Sequence, residues 1–434
     1  MLLQDLFPKA VEFGADGRLR LAGEEMGVLA QRWGTPLYIY DGETIRDRAE
    51  LVAKAARGVY PGEFEIAYAA KAFFSLPFAK KLARMGLAVD VASATELDFA
   101  LQAGFRPSLI HLHGNSKSEE EVDRAIEAGV AAIVLDSLDE ITWVEGRARS
   151  LDKRAAVWLR INPETEVSTH HFLQTGVQGA KFGLPLSDGQ AKEGISRLLS
   201  SPWLTLRALH FHLGSQLFGL PPYFEALDKI LALAESAGYV PEILSPGGGW
   251  GVPYTADAEA VDIENWVSAL SRHVFDASAA RGWPAPKLVV EPGRWLVAPA
   301  GVAIYTVGSI KKDPSGIYWV ALDGGMGDNP RPELYQASYT ACLADNWNGR
   351  PEWEVALAGR YCESGDVLVP HIALPPLARG QVVAIPVSGA YQLSMSSNYN
   401  LVPRPAVLWH DAGSVELLQP REDLQASPWW RGSA

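Results

Sequence analysis

The sequence predicts a parallel (β/α)8 TIM-type barrel joined to a second, mainly antiparallel β domain. Two observations carry that expectation. Between about residues 64 and 292, eight short β-branched or aliphatic runs alternate with amphipathic stretches, the rhythm of strand, helix, strand that closes a parallel barrel. From about residue 300 the helical spacing gives way to strand-like runs punctuated by Pro and Gly. A chain of 434 residues is long enough to divide its core, because single cores rarely grow past about 250–300 residues.

Taken in order, residues 10–22, "AVEFGADGRLRLA", have the pattern of a hairpin around Asp16-Gly17, and a short helix follows before "PLYIYDG". The barrel runs are "FEIAYAAKA", "AVDVAS", "LIHLHG", "AAIVLDS", "AVWLRIN", "LRALHFHLG", "EILSPGGG" and "KLVVEPG". Between them, segments such as "ATELDFALQAG" and "SEEEVDRAIEAG" place apolar residues three and four apart and end on glycine, as helices do. The later runs "VAIYTVGSI", "IYWVALDGG", "WEVALAG", "QVVAIPV" and "AVLWHD" supply the β domain, which the N-terminal segment should complete. The expected boundaries are 36–297 for the barrel, and 1–35 with 298–434 for the β-rich domain.

Composition narrows the function. Apolar residues make up 48% and charged residues 21%, ordinary globular usage, and no apolar run approaches the ~20 residues that span a bilayer. The formal charge of −13 disfavours non-specific attraction to nucleic acid or anionic lipid. The first residues lack a cationic segment followed by an apolar one, and two cysteines, Cys342 and Cys362, exclude a disulfide framework. A cytoplasmic protein with a small-molecule partner is expected.

In such a barrel, chemistry gathers at the C-terminal ends of the strands. There the sequence places Lys71, Asp90, His113, Asp136, Arg160 with Asn162, His212, Gly247-Gly248-Gly249, and Glu291 with Arg294. Lys71 continues the alternation Glu65, Ala67, Ala69 and should point toward the barrel axis, where a lysine can form a Schiff base with a carbonyl compound. Three glycines after a strand can close backbone N–H groups on a phosphate. Ser215 could add a hydroxyl, the flat His212 a ring surface, and Glu291 a carboxylate against a ring nitrogen. Together these meet the requirements of pyridoxal 5'-phosphate. The pairs "HLH" (111–113) and "HFH" (210–212) admit a zinc hydrolase instead, although the carboxylates such a site needs are missing beside "SPGGG", and the expectation is no metal. No G-x-G-x-x-G follows the first strand, which leaves a dinucleotide fold without support. In "GRYCESGD", Cys362 could be a buried structural thiol or a chemical group.

The set "YAAKAF", "HFHLGSQ", "GGGWG", "EPGR", "RPELY", "CESGD" and "GAYQLSMSSNYN", in this order, resembles the diaminopimelate decarboxylases of the alanine-racemase-like (fold-type III) pyridoxal-phosphate decarboxylases, over about residues 35–410. The resemblance implies decarboxylation of meso-diaminopimelate to L-lysine and CO2, in lysine biosynthesis. It implies that Lys71 holds the cofactor, that His212 stacks on its ring, and that Ser215, Gly248 and Gly249 hold its phosphate with Arg294 and Tyr391 nearby. Glu291 would keep the ring nitrogen protonated; Asp90 and Gly293 belong to the same cofactor set. Cys362 would return a proton to Cα from the other subunit of a homodimer. Arg294, Arg331, Tyr335, Glu363 and Tyr391 occupy the positions that hold the substrate's second amino-acid centre. The chain departs from the pattern at Phe73, at "SATEL" (93–97), at "GRYCES" and at Gln392. A related decarboxylase acting on a D-configured diamino acid or a carboxylated polyamine precursor, and a catalytically silent regulator, are the alternatives.

Overall fold

The computed structural model describes residues 1–166, 176–177, 179–427 and 430. The chain divides into two compact units, Arg48–Gly251 with Ala260–Trp295, and Met1–Asp47 with Val252–Glu259 and Leu296–Ala434. The first is the barrel. Its strands are β1 (Phe64–Ala69), β2 (Ala88–Val91), β3 (Ile110–Leu112), β4 (Ala132–Leu135), β5 (Ala155–Asn162), β6 (Leu204–His210), β7 (Ile243–Gly247) and β8 (Lys287–Val290). Each pairs in parallel with its neighbour, β8 returns to β1, and β4 pairs with β5, so the sheet has no open edge apart from a two-residue strand, Leu184–Pro185, on the end of β5.

Serine sets where the first four intervening helices begin. Helices α1 (Leu76–Ala83), α2 (Ala94–Ala103), α3 (Glu119–Ala128) and α4 (Leu138–Ser150) are each N-capped by a serine, Ser75, Ser93, Ser118 and Ser137, whose hydroxyl accepts from a backbone N–H three residues on. That bond satisfies one of the donors a helix start leaves unpaired. Gly104 and Gly129 close α2 and α3 in the left-handed conformation, where glycine carries no Cβ penalty. The segment "SATEL" is thus the capped start of α2. Helices Gln190–Ser200, Pro221–Ser236 and Ile263–Ala279 follow β5, β6 and β7. The short connections leave the strand ends free to carry side chains.

Inside the barrel, Ala67, Ala88, Ala132, Val134, Ala208 and Val289 form a layer around one large residue, Trp158. Small side chains on facing strands make the room that the indole fills.

The second unit is built on a sheet with the order Val367–Leu374, Trp353–Ala358, Tyr318–Leu322, Gly301–Lys312, Leu37–Asp41, Ala406–Asp411, Ser414–Gln419, and Val382–Ile385 also pairs with Gly301–Lys312. All pairings are antiparallel except Tyr318–Leu322 with Trp353–Ala358 and Leu37–Asp41 with Ala406–Asp411. The N-terminal hairpin, Val11–Phe13 against Leu19–Leu21, lays Val11, Leu19 and Leu21 into a core shared with Leu37, Ile39, Val302, Ile304 and Leu408. Leu37–Asp41 lies within the span expected for the barrel but runs in this sheet. All five of its residues are buried between two partner strands, which an edge-on approach to the barrel could not provide. Val252–Glu259, inside the same span, also belongs to this unit.

Trp158→Ala should lower stability by about 3–5 kcal/mol through the cavity it leaves among four alanines, read as a lower urea midpoint with the far-UV spectrum retained. A midpoint unchanged from the parent would show that this layer is not packed.

Candidate active site

At the C-terminal end of β8, Glu291 is 8% exposed and fully engaged. Its Oε2 lies 3.0 Å from His210 Nε2, and Ser245 Oγ donates to its Oε1 at 2.7 Å. Burial alone would raise the pKa of this carboxyl; the imidazoles of His210 and His113 beside it, and the hydrogen bonds of His210 and Ser245, outweigh it and hold the group well below the usual carboxylate range. Burial lowers the pKa of His210 despite Glu291, so the pair is a carboxylate and a neutral imidazole donating through Nε2. The bare Nδ1 that this tautomer leaves has no hydrogen-bond partner among the described residues. An anion is therefore fixed at the barrel rim.

The cradle beside it is backbone. After β7, Gly247 and Gly249 have φ of +71° and +96°, the left-handed region that glycine tolerates. A Cβ on Gly248 would stand 2.1 Å from the Glu291 carbonyl oxygen, and one on Gly249 2.1 Å from that of Gly214. Only glycine fits either place. Gly248 N–H donates to His212 Nδ1 at 3.3 Å, and Tyr223 Oη donates to the Gly248 carbonyl at 2.5 Å. Burial, then the positive charges of Lys71 and Arg160, keep His212 well below the usual histidine range, so its ring is neutral. Arg294 Nη2 and Nε donate to Ser215 Oγ at 3.0 and 3.3 Å, placing a cation and a hydroxyl together. Gly293 lets the turn after β8 approach Ala69 and Ala72, to which a Cβ would come within 3.1 Å.

Lys71 is on a 3-10 turn, Ala70–Ala72, immediately after β1 rather than on the strand. It is exposed within the chain, and its charge reaches both His212 and Glu96. Asp90, at the end of β2, lies 3.0 Å from His111 Nδ1 and 3.7 Å from His113 Nε2. The two H-x-H pairs do not act as pairs. One histidine of each, His113 and His210, converges with Glu291, their donor atoms all within 4.8 Å of one another, whereas His111 turns to Asp90 and His212 to Gly248. The barrel rim thus assembles Lys71, Asp90, His212, Ser215, Gly248, Gly249, Glu291, Gly293 and Arg294.

The second unit carries a separate polar cluster. Arg331, at the start of the helix Arg331–Tyr335, is 2% exposed. Its guanidinium carbon lies 4.6 Å from the centroid of the Tyr254 ring and 5.6 Å from that of Tyr339, and its Nη1 donates to Tyr339 Oη. Arg331 Nε is buried and has no hydrogen-bond partner among the described residues. Gln392 donates to Tyr339 Oη at 3.0 Å and accepts from Tyr38 Oη at 2.8 Å; Tyr305 donates to Asp328 Oδ2 at 2.6 Å, and Tyr38 Oη lies 3.0 Å from the same oxygen. This departure from the family pattern is therefore a bridge within a buried network. Tyr391, at φ +57°, adds to the charge field that raises the Arg331 pKa against burial. Tyr335 ends the Arg331–Tyr335 helix and is half-buried.

Cys362 and Glu363 are exposed on a turn whose shape Asp366 sets. The buried Asp366 carboxylate accepts from the N–H groups of Tyr361 at 2.8 Å and Met326 at 2.6 Å, and Cys362 N–H donates to Asn400 Oδ1 at 2.9 Å. The chain's other cysteine, Cys342, is buried, and burial pushes its thiol up to about 12. Sequence reasoning missed Ser245, Tyr38, Tyr254, Tyr305, Asp328 and Tyr339. Ser245 is the first letter of "SPGGG", and Tyr38 and Tyr305 lie in the strand runs "PLYIYDG" and "VAIYTVGSI", where they read as strand residues; Tyr254, Asp328 and Tyr339 lie in no quoted stretch.

A barrel whose rim pairs a glycine cradle with an ionised carboxylate and a lysine defines the class, and residues 43–298 match the family model "Pyridoxal-dependent decarboxylase, pyridoxal binding domain". Across 415 residues the chain is 39% identical to the diaminopimelate decarboxylase of Bacillus subtilis (strain 168), covering 94% of each. The crystal structure of diaminopimelate decarboxylase from M. jannaschii superposes with a TM-score of 0.91 at 32% identity, covering 98% of both chains. The same enzyme in co-complex with L-lysine gives 0.90 at 33%, covering 96% of both. The chain belongs to the diaminopimelate decarboxylase family.

Gly249→Ala should weaken pyridoxal 5'-phosphate binding at least about tenfold, or 1.4 kcal/mol, with the fold intact by circular dichroism. Unchanged affinity in a cofactor titration would remove the cradle from the binding site.

Proposed function

We propose that this protein decarboxylates meso-diaminopimelate to L-lysine and CO2, with pyridoxal 5'-phosphate bound at the barrel rim. The observation that carries the reading is the buried, ionised Glu291 beside a glycine-only cradle. When bound, the cofactor supplies an electron sink for the pair left when the Cα–carboxylate bond breaks. Lys71 Nζ would tether it. The backbone N–H groups of Gly248 and Gly249, with Ser215, Arg294 and Tyr391, would hold its phosphate, and Gly293 keeps the turn before Arg294 close to β1. Glu291 would accept the hydrogen bond of the ring N–H and so favour the protonated ring. His212 offers a neutral, flat surface, and Asp90 anchors the histidines behind Glu291. After CO2 departs, Cys362 Sγ delivers a proton to Cα as general acid.

Selection of a diacid rests on Arg331. A buried guanidinium with an unpartnered Nε calls for an acceptor, and a carboxylate offers two in the matching plane. Arg294, Tyr335 and Tyr391 add to that end, and Glu363 receives the distal ammonium. The same residues give little to a substrate with one carboxylate, which disfavours the D-configured diamino acids and polyamine precursors. Exposure of Cys362, Tyr399 and Leu401, with an apolar ring and chain beside a catalytic thiol, supports a homodimer in which this segment completes the partner's site. The cytoplasm is the proposed compartment.

The test is a panel assay: holoenzyme should release CO2 from meso-diaminopimelate and form L-lysine, and release from another diamino acid in its place would reject the reading. Cys362→Ala should keep the cofactor's absorbance while turnover falls about 10²–10⁴-fold. Arg331→Lys, which loses the planar fork, should lower kcat/KM about 10²-fold; equal effects on mono- and dicarboxylate substrates would remove it from the distal site.

A further inference from the structure

Below the rim, two carboxylates project into the barrel with one imidazole between them. His111 is 1% exposed; its Nδ1 lies 3.0 Å from Asp90 Oδ1 and its Nε2 3.5 Å from Glu65 Oε1. The ring packs on Trp158 at a centroid distance of 4.3 Å. Lys287 Nζ meets Glu65 at 2.7 Å from β8. On the other side, His113 Nε2 stands 3.7 Å from Asp90 Oδ1 and 3.9 Å from Glu291 Oε1. Glu65, His111, Asp90, His113 and Glu291 therefore form a continuous series. It starts at a cavity of about 530 Å³ lined by Glu63, Glu65, His111, Trp158, Arg207 and Lys287 among others, and ends at the rim carboxylate.

We propose that His111 is a positioning residue whose positive charge balances Glu65 and Asp90, leaving His113 to face Glu291 and keeping Glu291 ionised. The inference rests on the role given above to Glu291. Glu65 has a second cation in Lys287. Asp90 has ion-pair contacts with His111 and His113. With a neutral His111, His113 would be drawn to Asp90, and Glu291, losing His113 in a dry interior, would take up a proton more readily. The other charged groups facing this series are Arg160, whose charge reaches Glu291 and His210 from beside Asp136, and Glu63, Arg207 and Glu242 at the cavity, where Arg207 pairs with Glu242 at 2.9 Å.

The energetics agree with the geometry. Burial alone would lower the His111 pKa, but hydrogen bonds to Asp90 and Glu65 outweigh it and lift the ring to about 9. Burial would raise Glu65, yet His111 and Lys287 hold it below the usual carboxylate range. Because the folded value of His111 exceeds the unfolded one, its contribution to stability is complete below about pH 6.5 and is lost as pH rises through about 9.

His111→Gln removes the charge at similar size. In the cofactor-loaded variant, the acid limb of both the cofactor absorbance titration and kcat against pH should move upward by roughly 0.5–1.5 units. Adding Glu65→Gln, which removes one negative charge from the same series, should move both limbs back toward the parent. An unmoved limb, or one that Glu65→Gln leaves displaced, overturns the proposal. Independently of any cofactor, assigned histidine ring NMR on the parent protein should show His111 as an imidazolium at pH 8; a neutral ring there overturns the proposal even if the variant does not fold. A parent that binds no cofactor at Lys71 would instead count against the reading of the site, and the NMR result would still decide the charge of His111.

Discussion

A carboxylate kept ionised out of water is the constraint on which the barrel depends. Removing a charge from solvent costs several kcal/mol unless partners replace the lost hydration, and Glu291 finds them on strands β6 and β7, in His210 and Ser245. Three consecutive strands must therefore hold their register for one side chain to stay charged. The glycine cradle leaves the end of the same β7, and a side chain at Gly248 would strike the Glu291 backbone. Anion and cradle are thus built from one corner of the barrel, and neither can shift without the other.

The second unit solves a similar problem with the opposite sign. Arg331 is enclosed by tyrosine faces, which favour a cation electrostatically, and a chain of hydroxyl and amide groups through Tyr339, Gln392 and Tyr38 ties it to Asp328. Burial pushes the Asp328 carboxyl up to about 6 in spite of the bonds from Tyr305 and Tyr38. Asp366 works on shape alone. By accepting two backbone N–H groups it folds "YCESGD" into a turn that exposes the thiol and Glu363. The carboxylates beside Cys362 thus have different tasks.

The barrel was legible because each strand is short and apolar and the first four are followed by helices with serine caps, so local pattern and global topology agree. The rim residues were legible because their positions at strand ends follow from that topology. Leu37–Asp41 was not, since a fully buried strand reads the same in either unit until its pairing partners, which lie more than 250 residues away, are known. The placement of Lys71 on a turn escaped because alternation continued through it in the letters. His111 and His210 were visible only as members of H-x-H pairs; what separates them is which carboxylate each faces, a property of closure rather than of spacing. The network around Arg331 draws on residues from 38 to 392, beyond the reach of any local motif.

The most direct measurement is Glu291→Gln, which keeps the shape and loses the charge. If a buried anion at the ring nitrogen is what makes the site work, the variant should bind pyridoxal 5'-phosphate within about tenfold of the parent while CO2 release from meso-diaminopimelate falls by about 10³-fold or more. Turnover within a few-fold of the parent would contradict it.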